Sequence, residues 1–458
     1  MFTDGASLRS YRENAGLSQA RIAEASGIPQ HILSAFELGK APLKPKAQKA
    51  LQAILANKDA TAALSSRKKR YREHAYSARE HRPDRVKLHS VSSGNTSYRG
   101  ELSLISEARK PSFTGLSLFS GCGGLSAGFR SAGCDIKGFV EIDDGLSSIY
   151  SSNFPNTKRL GSCIQEVTSD EVSAFAEAQG GIDVLLGGPP CQGFSLAGKR
   201  KVDDPRNELF RDYIRFVDAV RPKAAILENV RLLTSMKSSS GSLVKDDISQ
   251  EFSKRGYAVA MFEINAKDYG VPQHRERVIF MAIDETLCRV PSKPEPSNGS
   301  SPDLLSARSR YRNFADACSD LAFLESGEND ERDQLHAAVS HPDHVLEWLW
   351  NVPQGRSAHD NDDPALRPPS GYNTTYKRQV WEEPGATVQT TFGMISGCRN
   401  VHPIATRSLT VREAARLQSF PDDYKFSGSL NTIRTGIGNA VPPLLARKIA
   451  LHLHTLIS

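Results

Sequence analysis

The chain of 458 residues contains no run of about eighteen or more apolar residues, so we predict no membrane-spanning helix. Its seven cysteines are scattered and none forms a CxxC pair, so we expect neither a disulfide framework nor a bound metal. Residues 1–10 lack the apolar core of a secretory signal. We therefore expect a cytoplasmic protein, in a reducing compartment where a free reactive thiol persists.

The composition is that of a soluble globular enzyme, with 39% hydrophobic and 24% charged residues. The length exceeds that of one ordinary domain and predicts two or three. The net charge of +6 permits a polyanionic partner but does not establish one.

Composition also divides the chain into five stretches. Residues 7–60 have the pattern of short helices, and residues 61–110 are rich in Ser, Arg and Lys with few apolar side chains. Residues 111–289 alternate short apolar runs with amphipathic segments. Residues 290–402 are irregular and polar, and residues 403–458 close the chain with helical patterns. The basic second stretch fits a solvated linker and a phosphate-contacting arm equally well.

The alternation within the third stretch predicts the fold. Apolar runs separated by helix-like segments such as 124–132 and 209–220 indicate an α/β fold with a mostly parallel sheet covered on both faces. In such sheets, ligands bind outside the carboxyl ends of the strands. The predicted strands are 114–119, 135–140, 182–186, 224–227, 257–264 and 277–283.

A glycine-rich turn, FSGCGG at 119–124, follows the first predicted strand. Its glycines let the backbone turn tightly and approach a ligand, and the start of the next helix favours an anionic group. Glu141 ends the second strand, where an acid can accept hydrogen bonds from a ribose diol. The pattern predicts a nucleoside cofactor. Taken alone, it fits NAD as well as any other, and it also fits a purely structural turn.

Cys191 lies in a second loop, 187–195, which follows the next predicted strand. Two prolines fix the backbone before the thiol and cannot continue the sheet. An isolated cysteine of this kind is usually a small buried residue. Two further motifs change that interpretation, because ENV at 228–230 ends a strand with an acid and QHRER at 273–277 places paired arginines before another strand.

In combination, these motifs resemble the DNA (cytosine-5)-methyltransferase family over about 113–283 and 403–456. The resemblance implies the Rossmann-like sheet of the S-adenosylmethionine-dependent methyltransferases. FSGCGG is similar to the family's cofactor loop, GPPCQGFS to its catalytic loop, and ENV and QHRER to its base-pocket motifs. RSLTVREAARLQSFP at 407–421 resembles the segment supporting the recognition domain, and GNAVP at 438–442 resembles the motif that completes the cofactor pocket.

The resemblance implies covalent catalysis on cytosine. Cys191 is expected to attack C6, which makes C5 electron-rich enough to accept a methyl group. Glu228 is expected to bind N3 and the exocyclic amine, and Asn229 to position the loop. Arg277 is expected to bind the cytosine O2 and orient Glu228, and Arg275 to lower the pKa of the thiol. A stacked base cannot reach such a pocket, so base flipping is implied.

The implied cofactor is S-adenosyl-L-methionine, held by the glycine turn and the C-terminal motif. One departure concerns its adenine. The family usually has an acid in a GDI sequence, whereas this chain has GSCI at 161–164, with Ser162 as the expected substitute. The expected cofactor residues are Phe119, Ser120, Gly121, Gly123, Gly124, Glu141, Ser162, Pro190, Leu209, Asn439 and Val441.

Residues 7–60 resemble the Cro/C1-type helix-turn-helix domains. Gly27 occupies the turn and Pro29 suits the start of the second helix, while Ile28, Ile32 and Phe36 are expected to share one face of it. The implied partner is double-stranded DNA. The alternative is a helical bundle used only for packing or dimerisation. The expected DNA contacts are Gln19, Gln30, His31 and Ser34 in this domain, and Gln192 and Ser195 in the catalytic loop.

Family members carry a target recognition domain where this chain has residues 290–402. Its sequence varies with DNA specificity, so few residues carry over. GYNTTYKR at 371–378 interleaves aromatic, polar and basic side chains and is the leading candidate for DNA contact. A core role is the stronger interpretation for Trp348 and Trp350. The other candidate contacts are Tyr372, Tyr376, Lys377, Arg378 and Arg399.

The sequence therefore predicts a DNA (cytosine-5-)-methyltransferase that modifies a specific duplex site in a restriction-modification system. We hypothesise that its helix-turn-helix domain regulates transcription of that system. Two alternatives stay open: a tRNA cytosine-5 methyltransferase, and a DNA-binding regulator with a vestigial methylase domain. Methylation of N4 or N6 is disfavoured, because the loop has a thiol where those enzymes have an acid or Asn.

Overall fold

The computed structural model describes the chain as two units, each with its own hydrophobic core. The first comprises Met1–Lys87 with Pro342–Trp350, and the second comprises Leu88–His341 with Asn351–Ser458. The described residues are 4–14, 17, 19–56, 82–107, 109–190, 209–237, 241–300 and 308–458.

The first unit begins with four helices: α1 (Gly5–Asn14), α2 (Gln19–Ser26), α3 (Gln30–Glu37) and α4 (Pro45–Ala56). Gly27 has a φ of 66° and supplies the left-handed turn between α2 and α3. Leu8, Ile22, Leu33 and Leu51 are almost completely buried in one core between the helices. This arrangement is the helix-turn-helix that the sequence predicted.

Of the three residues that the apolar spacing grouped on one face, Ile28 lies in the core of this unit and Phe36 packs against it, but Ile32 does not. Leu33 and Glu37 are buried, whereas Ile32 is 39% exposed, so the prediction was wrong for Ile32. The Glu37 carboxylate is stabilised because Arg12 donates two hydrogen bonds to it, at 2.8 and 2.9 Å, and Gln19 donates a third at 2.7 Å. Burial alone would raise the pKa of Glu37, but these donors lower it.

The second unit is built on a seven-stranded sheet. Its strands are β1 (Phe113–Leu118), β2 (Cys134–Val140), β3 (Lys158–Gly161), β4 (Val184–Gly187), β5 (Ala224–Val230), β6 (Tyr257–Asn265) and β7 (Glu276–Asp284). The spatial order is β3-β2-β1-β4-β5-β7-β6. Neighbouring strands pair in parallel except at β7, which is antiparallel to both β5 and β6. The predicted α/β class is confirmed.

Helices cover both faces of this sheet. In β4, Val184 and Leu186 point into one core and Leu185 into the other, as the period of a strand requires. Leu453 of the last helix lies in the first core and Tyr213 lies in the second. The α-helices described in the second unit are α6 (Asn95–Ser106), α7 (Gly124–Ser131), α8 (Asp144–Asn153), α9 (Ser169–Ala178), α10 (Leu209–Val220), α11 (Val244–Ser253), α12 (Phe314–Cys318), α14 (Val411–Leu417), α15 (Leu430–Asn439) and α16 (Pro443–Ile457). Helix α13 (Asp343–Leu349) and all but the last residue of α5 (Arg82–Leu88) belong to the first unit.

The two loops that carry the central motifs leave the sheet side by side. Leu118, the last residue of β1, pairs with Gly187, the last residue of β4. The strand order reverses between these two strands, since β2 and β3 lie on one side and β5 on the other. Open α/β sheets bind ligands in the crevice at such a reversal.

Two features were not predicted from the sequence. β3 is absent from the predicted strands, and none of its four residues is buried, so it lacks the apolar run of a core strand. The thiol loop consequently follows the fourth strand. The other feature is a set of short strands in the recognition region: β8 (Asn298–Gly299), β9 (Ser309–Arg310), β10 (Asn329–Asp330) and β11 (Asp333–Ala337). Within the described ranges, none of the helices combines the length and apolarity needed to span a bilayer.

Candidate active site

The turn after β1 contains three residues in the left-handed region: Phe119 at φ 51°, Gly121 at φ 55° and Gly123 at φ 94°. This conformation is strained for Phe119, because only glycine adopts it freely. The Ser120 hydroxyl donates to the Ser117 carbonyl at 3.0 Å. A β-carbon placed on Gly121 would meet no atom within 4 Å. The turn therefore borders open space in which a ligand can approach the backbone.

Glu141 lies beside this turn, just after the end of β2. Its Oε2 accepts a hydrogen bond from the Gly121 amide at 2.7 Å, and its Oε1 accepts one from the Asp143 amide at 2.9 Å. Burial raises its pKa. A buried carboxylate that keeps spare acceptor positions next to an open glycine turn fits the hydroxyls of a nucleoside. Ile142, which the sequence did not single out, is 72% exposed and offers an apolar surface nearby.

The C-terminal motif packs directly on the glycine turn. A β-carbon on Gly124 would collide with the Val441 carbonyl oxygen and lie 3.1 Å from the Ala440 β-carbon. Tyr424 donates to the Cys122 carbonyl at 2.6 Å and ties the turn to the same part of the chain. Segments about 300 residues apart thus pack against each other at the glycine turn.

The remaining cofactor candidates lie at the edges of this region. Ser162 is exposed and follows β3, whose Gly161 pairs with Val140 at the end of β2. Asn439 is exposed at the end of α15. Pro190 and Leu209 border the stretch 191–208, which lies outside the described residues. Cys191, Gln192 and Ser195 fall within that stretch, so their contacts stay predictions.

The acid and one arginine of the predicted base pocket form an ion pair. Arg277 Nε lies 2.8 Å from Glu228 Oε1, and the two side chains are 13% and 11% exposed. Asn229 donates to the Pro189 carbonyl at 2.9 Å. A β-carbon on Gly188 would lie 2.9 Å from Glu228 Oε2. The pair therefore lies against the residues that lead into the thiol loop.

The Glu228 carboxylate has capacity for a ligand. Among the described residues, Arg277 is its only side-chain partner within ion-pair or hydrogen-bond distance, and Oε2 accepts no hydrogen bond. A cation holds one oxygen while the other remains available, so the group can accept from, or when protonated donate to, a bound base.

Arg275 makes contacts that the sequence did not predict. Its side chain is fully buried, and its two terminal nitrogens donate to the carbonyls of Val388 at 3.1 Å and Gly438 at 2.9 Å. Gln273, also fully buried, accepts from the Val388 amide at 2.8 Å. The predicted effect of Arg275 on the thiol stays a prediction, because Cys191 is not described.

The predicted DNA contacts of the first unit divide into two groups. Gln30 and His31 are exposed at the start of α3, and Ser34 is half-buried on the same helix. Gln19 uses its amide to donate to Glu37 at 2.7 Å. The first group is available to a ligand, whereas Gln19 supports the domain.

In the recognition region, the candidates also differ in exposure. Tyr372 is 80% exposed and Arg399 is exposed. Arg378 is buried, and it donates to the carbonyls of His402 at 3.2 Å and Ala405 at 2.6 Å. Its position fits internal support of the segment and does not fit a DNA contact.

Comparison with known proteins agrees with this geometry. Residues 113–455 match the family model described as C-5 cytosine-specific DNA methylase, and residues 5–64 match a helix-turn-helix domain model. The chain therefore belongs to the C-5 cytosine-specific DNA methylase family. It is a DNA (cytosine-5-)-methyltransferase with an N-terminal helix-turn-helix domain, and both resemblances are confirmed.

The similar proteins include curated bacterial enzymes. The Type II methyltransferase M.DdeI of Desulfomicrobium norvegicum is 34% identical, over 73% of this chain and 87% of that protein. The Type II methyltransferase M1.HphI of Haemophilus parahaemolyticus is 36% identical, over 74% and 86%. The crystal structure of a DNA modification methyltransferase encoded within an E. coli prophage is 24% identical, covers 76% of this chain and 99% of that one, and has a TM-score of 0.59, which supports the fold.

Proposed function

We propose that this enzyme transfers a methyl group from S-adenosyl-L-methionine to C5 of a flipped cytosine in a specific duplex site. Its setting is a Type II restriction-modification system, which the names of the similar enzymes support. The observation that carries the proposal is the Glu228–Arg277 pair at 2.8 Å, held against the residues that precede Cys191.

The residues around the glycine turn suit the cofactor. Glu141 would hold the ribose hydroxyls, and the backbone at Gly121 borders the space for the rest of the molecule. Val441 and Gly124 would form the wall behind it. Bound S-adenosyl-L-methionine supplies an electrophilic methyl group, which the C5 of the activated cytosine accepts.

The protein's own residues would activate the base. The Cys191 thiolate forms a bond to C6, and the electron pair of the C5–C6 double bond becomes available at C5. Glu228 shares a proton with N3 and so stabilises the charge that the addition creates. Arg277 keeps Glu228 oriented and binds O2. After methylation, a water removes the C5 proton, the double bond re-forms and the thiolate leaves.

Bisulfite sequencing of DNA from cells that express the protein tests this proposal. New protected cytosines should appear at one sequence, and they should be absent with the Cys191→Ser variant. Protection that persists in that variant would refute the covalent step. Methyl transfer from labelled cofactor to tRNA and not to DNA would favour the tRNA alternative.

We also propose that the helix-turn-helix domain represses transcription of the operon or of a nuclease gene, and that it dimerises on its operator. The exposure of Gln30 and His31 at the start of α3 supports this proposal, because that end of a recognition helix contacts base edges. Removing residues 1–60, which leaves α6 in the core of the second unit, should abolish binding to the DNA upstream of the gene and leave methylation intact. Loss of methylation with operator binding unchanged would contradict it.

A further inference from the structure

Two buried polar side chains connect three distant segments of the second unit. Gln273 accepts from the Val388 amide at 2.8 Å and donates to the Leu417 carbonyl at 3.0 Å and to Gln418 Oε1 at 2.9 Å. Gln418 in turn donates to the carbonyls of Ile437 and Ala440. This network joins the recognition region (290–402), residues 407–421, which we call the support segment, and the C-terminal motif (438–442).

Arg275 makes a second connection between the same places. Its guanidinium bridges the carbonyls of Val388 and Gly438. It is fully buried, its Nε has no hydrogen-bond partner, and no carboxylate within the described part of the chain forms an ion pair with it. Burying a cation on carbonyl oxygens alone is unfavourable. The cost of burying this guanidinium is offset only by its hydrogen bonds to the two carbonyls that it bridges.

The backbones that Arg275 bridges are in direct contact. A β-carbon on Gly438 would collide with the Thr390 amide nitrogen and lie 2.6 Å from the Gln389 carbonyl carbon. Three residues further on, the Val441 carbonyl lies against Gly124. Residues 388–390, residues 438–441 and Gly124 therefore form three layers, which we call the stack.

The outer layer of the stack is accessible to a partner. In this layer Val388 is buried and Gln389 is exposed, and Thr391, which follows the layer directly, is also exposed. The inner layer is the start of α7, beside the turn that borders Glu141. A ligand that binds at Gln389 and Thr391 displaces or fixes a backbone that rests on the C-terminal motif and, through it, on the glycine turn.

We propose that the stack couples the binding of duplex DNA to the binding of S-adenosyl-L-methionine, with Arg275 as the positioning residue that holds its outer layers together. The inference rests on the proposed function, since it assigns the cofactor to the glycine turn and DNA to the recognition region. It gives Arg275 a role distinct from contact with the thiol. Coupling of this kind is reciprocal, so each ligand should tighten the other by the same factor.

Calorimetric titration of the full-length protein tests the coupling without any turnover. The probes are S-adenosylhomocysteine and an unmethylated duplex that carries the site located by bisulfite sequencing. In the wild-type protein, saturating duplex should lower the Kd of S-adenosylhomocysteine by about tenfold, within the usual range for coupled sites. The reverse titration should give the same factor.

Two variants change the stack from different sides. Arg275→Lys keeps the charge but cannot bridge both carbonyls. Gly438→Ala adds a methyl group between the outer layers, at a position where φ is not left-handed. Arg312→Lys is the matched control, because Arg312 is a buried arginine that pairs with Glu101 elsewhere in the unit.

In both stack variants, the coupling factor should fall to about threefold or less, while the control keeps the wild-type factor. Wild-type coupling in a folded Arg275→Lys or Gly438→Ala protein would overturn the proposal, as would the absence of coupling in the wild type. If Arg275→Lys fails to fold, Gly438→Ala decides. A wild-type protein that binds neither probe would instead refute the proposed function.

Discussion

Among the described residues of the second unit, two arginine–carboxylate pairs have both side chains less than 15% exposed, and they use their hydrogen bonds differently. In the support segment, Arg407 forms two hydrogen bonds to Glu413, at 2.7 and 2.8 Å, and both side chains are 1% exposed. The same guanidinium also donates to the Leu324 carbonyl, and Glu413 accepts from the Thr410 amide. Arg277 and Glu228, in contrast, share one contact at 2.8 Å.

Only one of the two carboxylates has acceptor capacity left for a ligand. Burial alone would raise the pKa of Glu413, but Arg407 outweighs it and holds that pKa far below its usual range. Glu413 is thus a fixed anion whose acceptor positions are occupied by the protein. In Glu228, by contrast, the oxygen beside Gly188 accepts no hydrogen bond from the described residues. The Glu228–Arg277 pair can therefore still bind a ligand through this oxygen.

The largest expected effect follows from the Glu228→Gln substitution. It keeps the shape but removes the group that shares a proton with N3, so kcat should fall by about 10²–10⁴-fold. The urea midpoint should change little, since Arg277 is partly exposed to solvent and also donates to the Glu276 carbonyl, so its charge is not left buried without a partner. The measurement is single-turnover methyl transfer to the target duplex, beside urea unfolding. A variant that loses stability and keeps kcat would reverse the assignment of the two pairs.

Glu413→Gln should do the opposite. Removing one partner leaves the Arg407 charge buried without compensation, which costs about 3–5 kcal/mol of unfolding free energy. Denaturant unfolding at neutral pH measures this loss. In the protein that remains folded, the rate of single-turnover methyl transfer should stay near that of the wild type. A stability change no larger than that of Glu228→Gln would contradict the structural role.

The strands of the sheet differ in how well the sequence alone could predict them. The core strands β1, β4 and β5 are buried on both faces, so each is an apolar run that stands out from its surroundings. β3 is only partly buried, and the first two of its four residues are Lys158 and Arg159. Its place in the sheet depends on pairing with β2, which no local pattern reveals.

For the site, the motifs predicted residue types at strand ends, and in the structure Glu228 pairs with Arg277 while Asn229 donates to the Pro189 carbonyl. The partners of Arg275 could not be predicted, because it binds the backbone carbonyls of Val388 and Gly438. Every residue has such a carbonyl, so the residue types in a sequence do not identify it as a partner. The same holds for the contact between Gly124 and Val441.

The unfolding free energy should also depend on pH, because a buried histidine contacts the support segment. His341 accepts from the Ser408 amide at 3.1 Å, and burial, with Arg407 and Arg434 nearby, lowers its pKa to about 4. In the unfolded chain its pKa is about 6.5, so the unfolded state binds a proton first as the pH falls. Stability should therefore drop below about pH 6.5, by on the order of 2 kcal/mol between pH 8 and 5.

His341→Gln should flatten that part of the pH profile, and urea unfolding at several pH values measures the slope. His402, whose pKa burial also lowers, should preserve some pH dependence in this variant. An unchanged slope in His341→Gln would mean that the histidine is not neutral in the folded protein.

The smallest expected effect concerns a third ion pair, on the strand that carries Arg277. Glu276 precedes Arg277 in the chain and pairs with Arg231 at 3.0 Å, but both side chains are more than half exposed. Solvent screens such a pair, and holding two mobile side chains together offsets most of the attraction. Glu276→Gln should therefore leave the melting temperature and kcat without measurable change. If it lowered kcat as Glu228→Gln does, closeness to the pocket would matter more than burial and free hydrogen-bonding capacity, and the comparison between the two buried pairs would lose its basis.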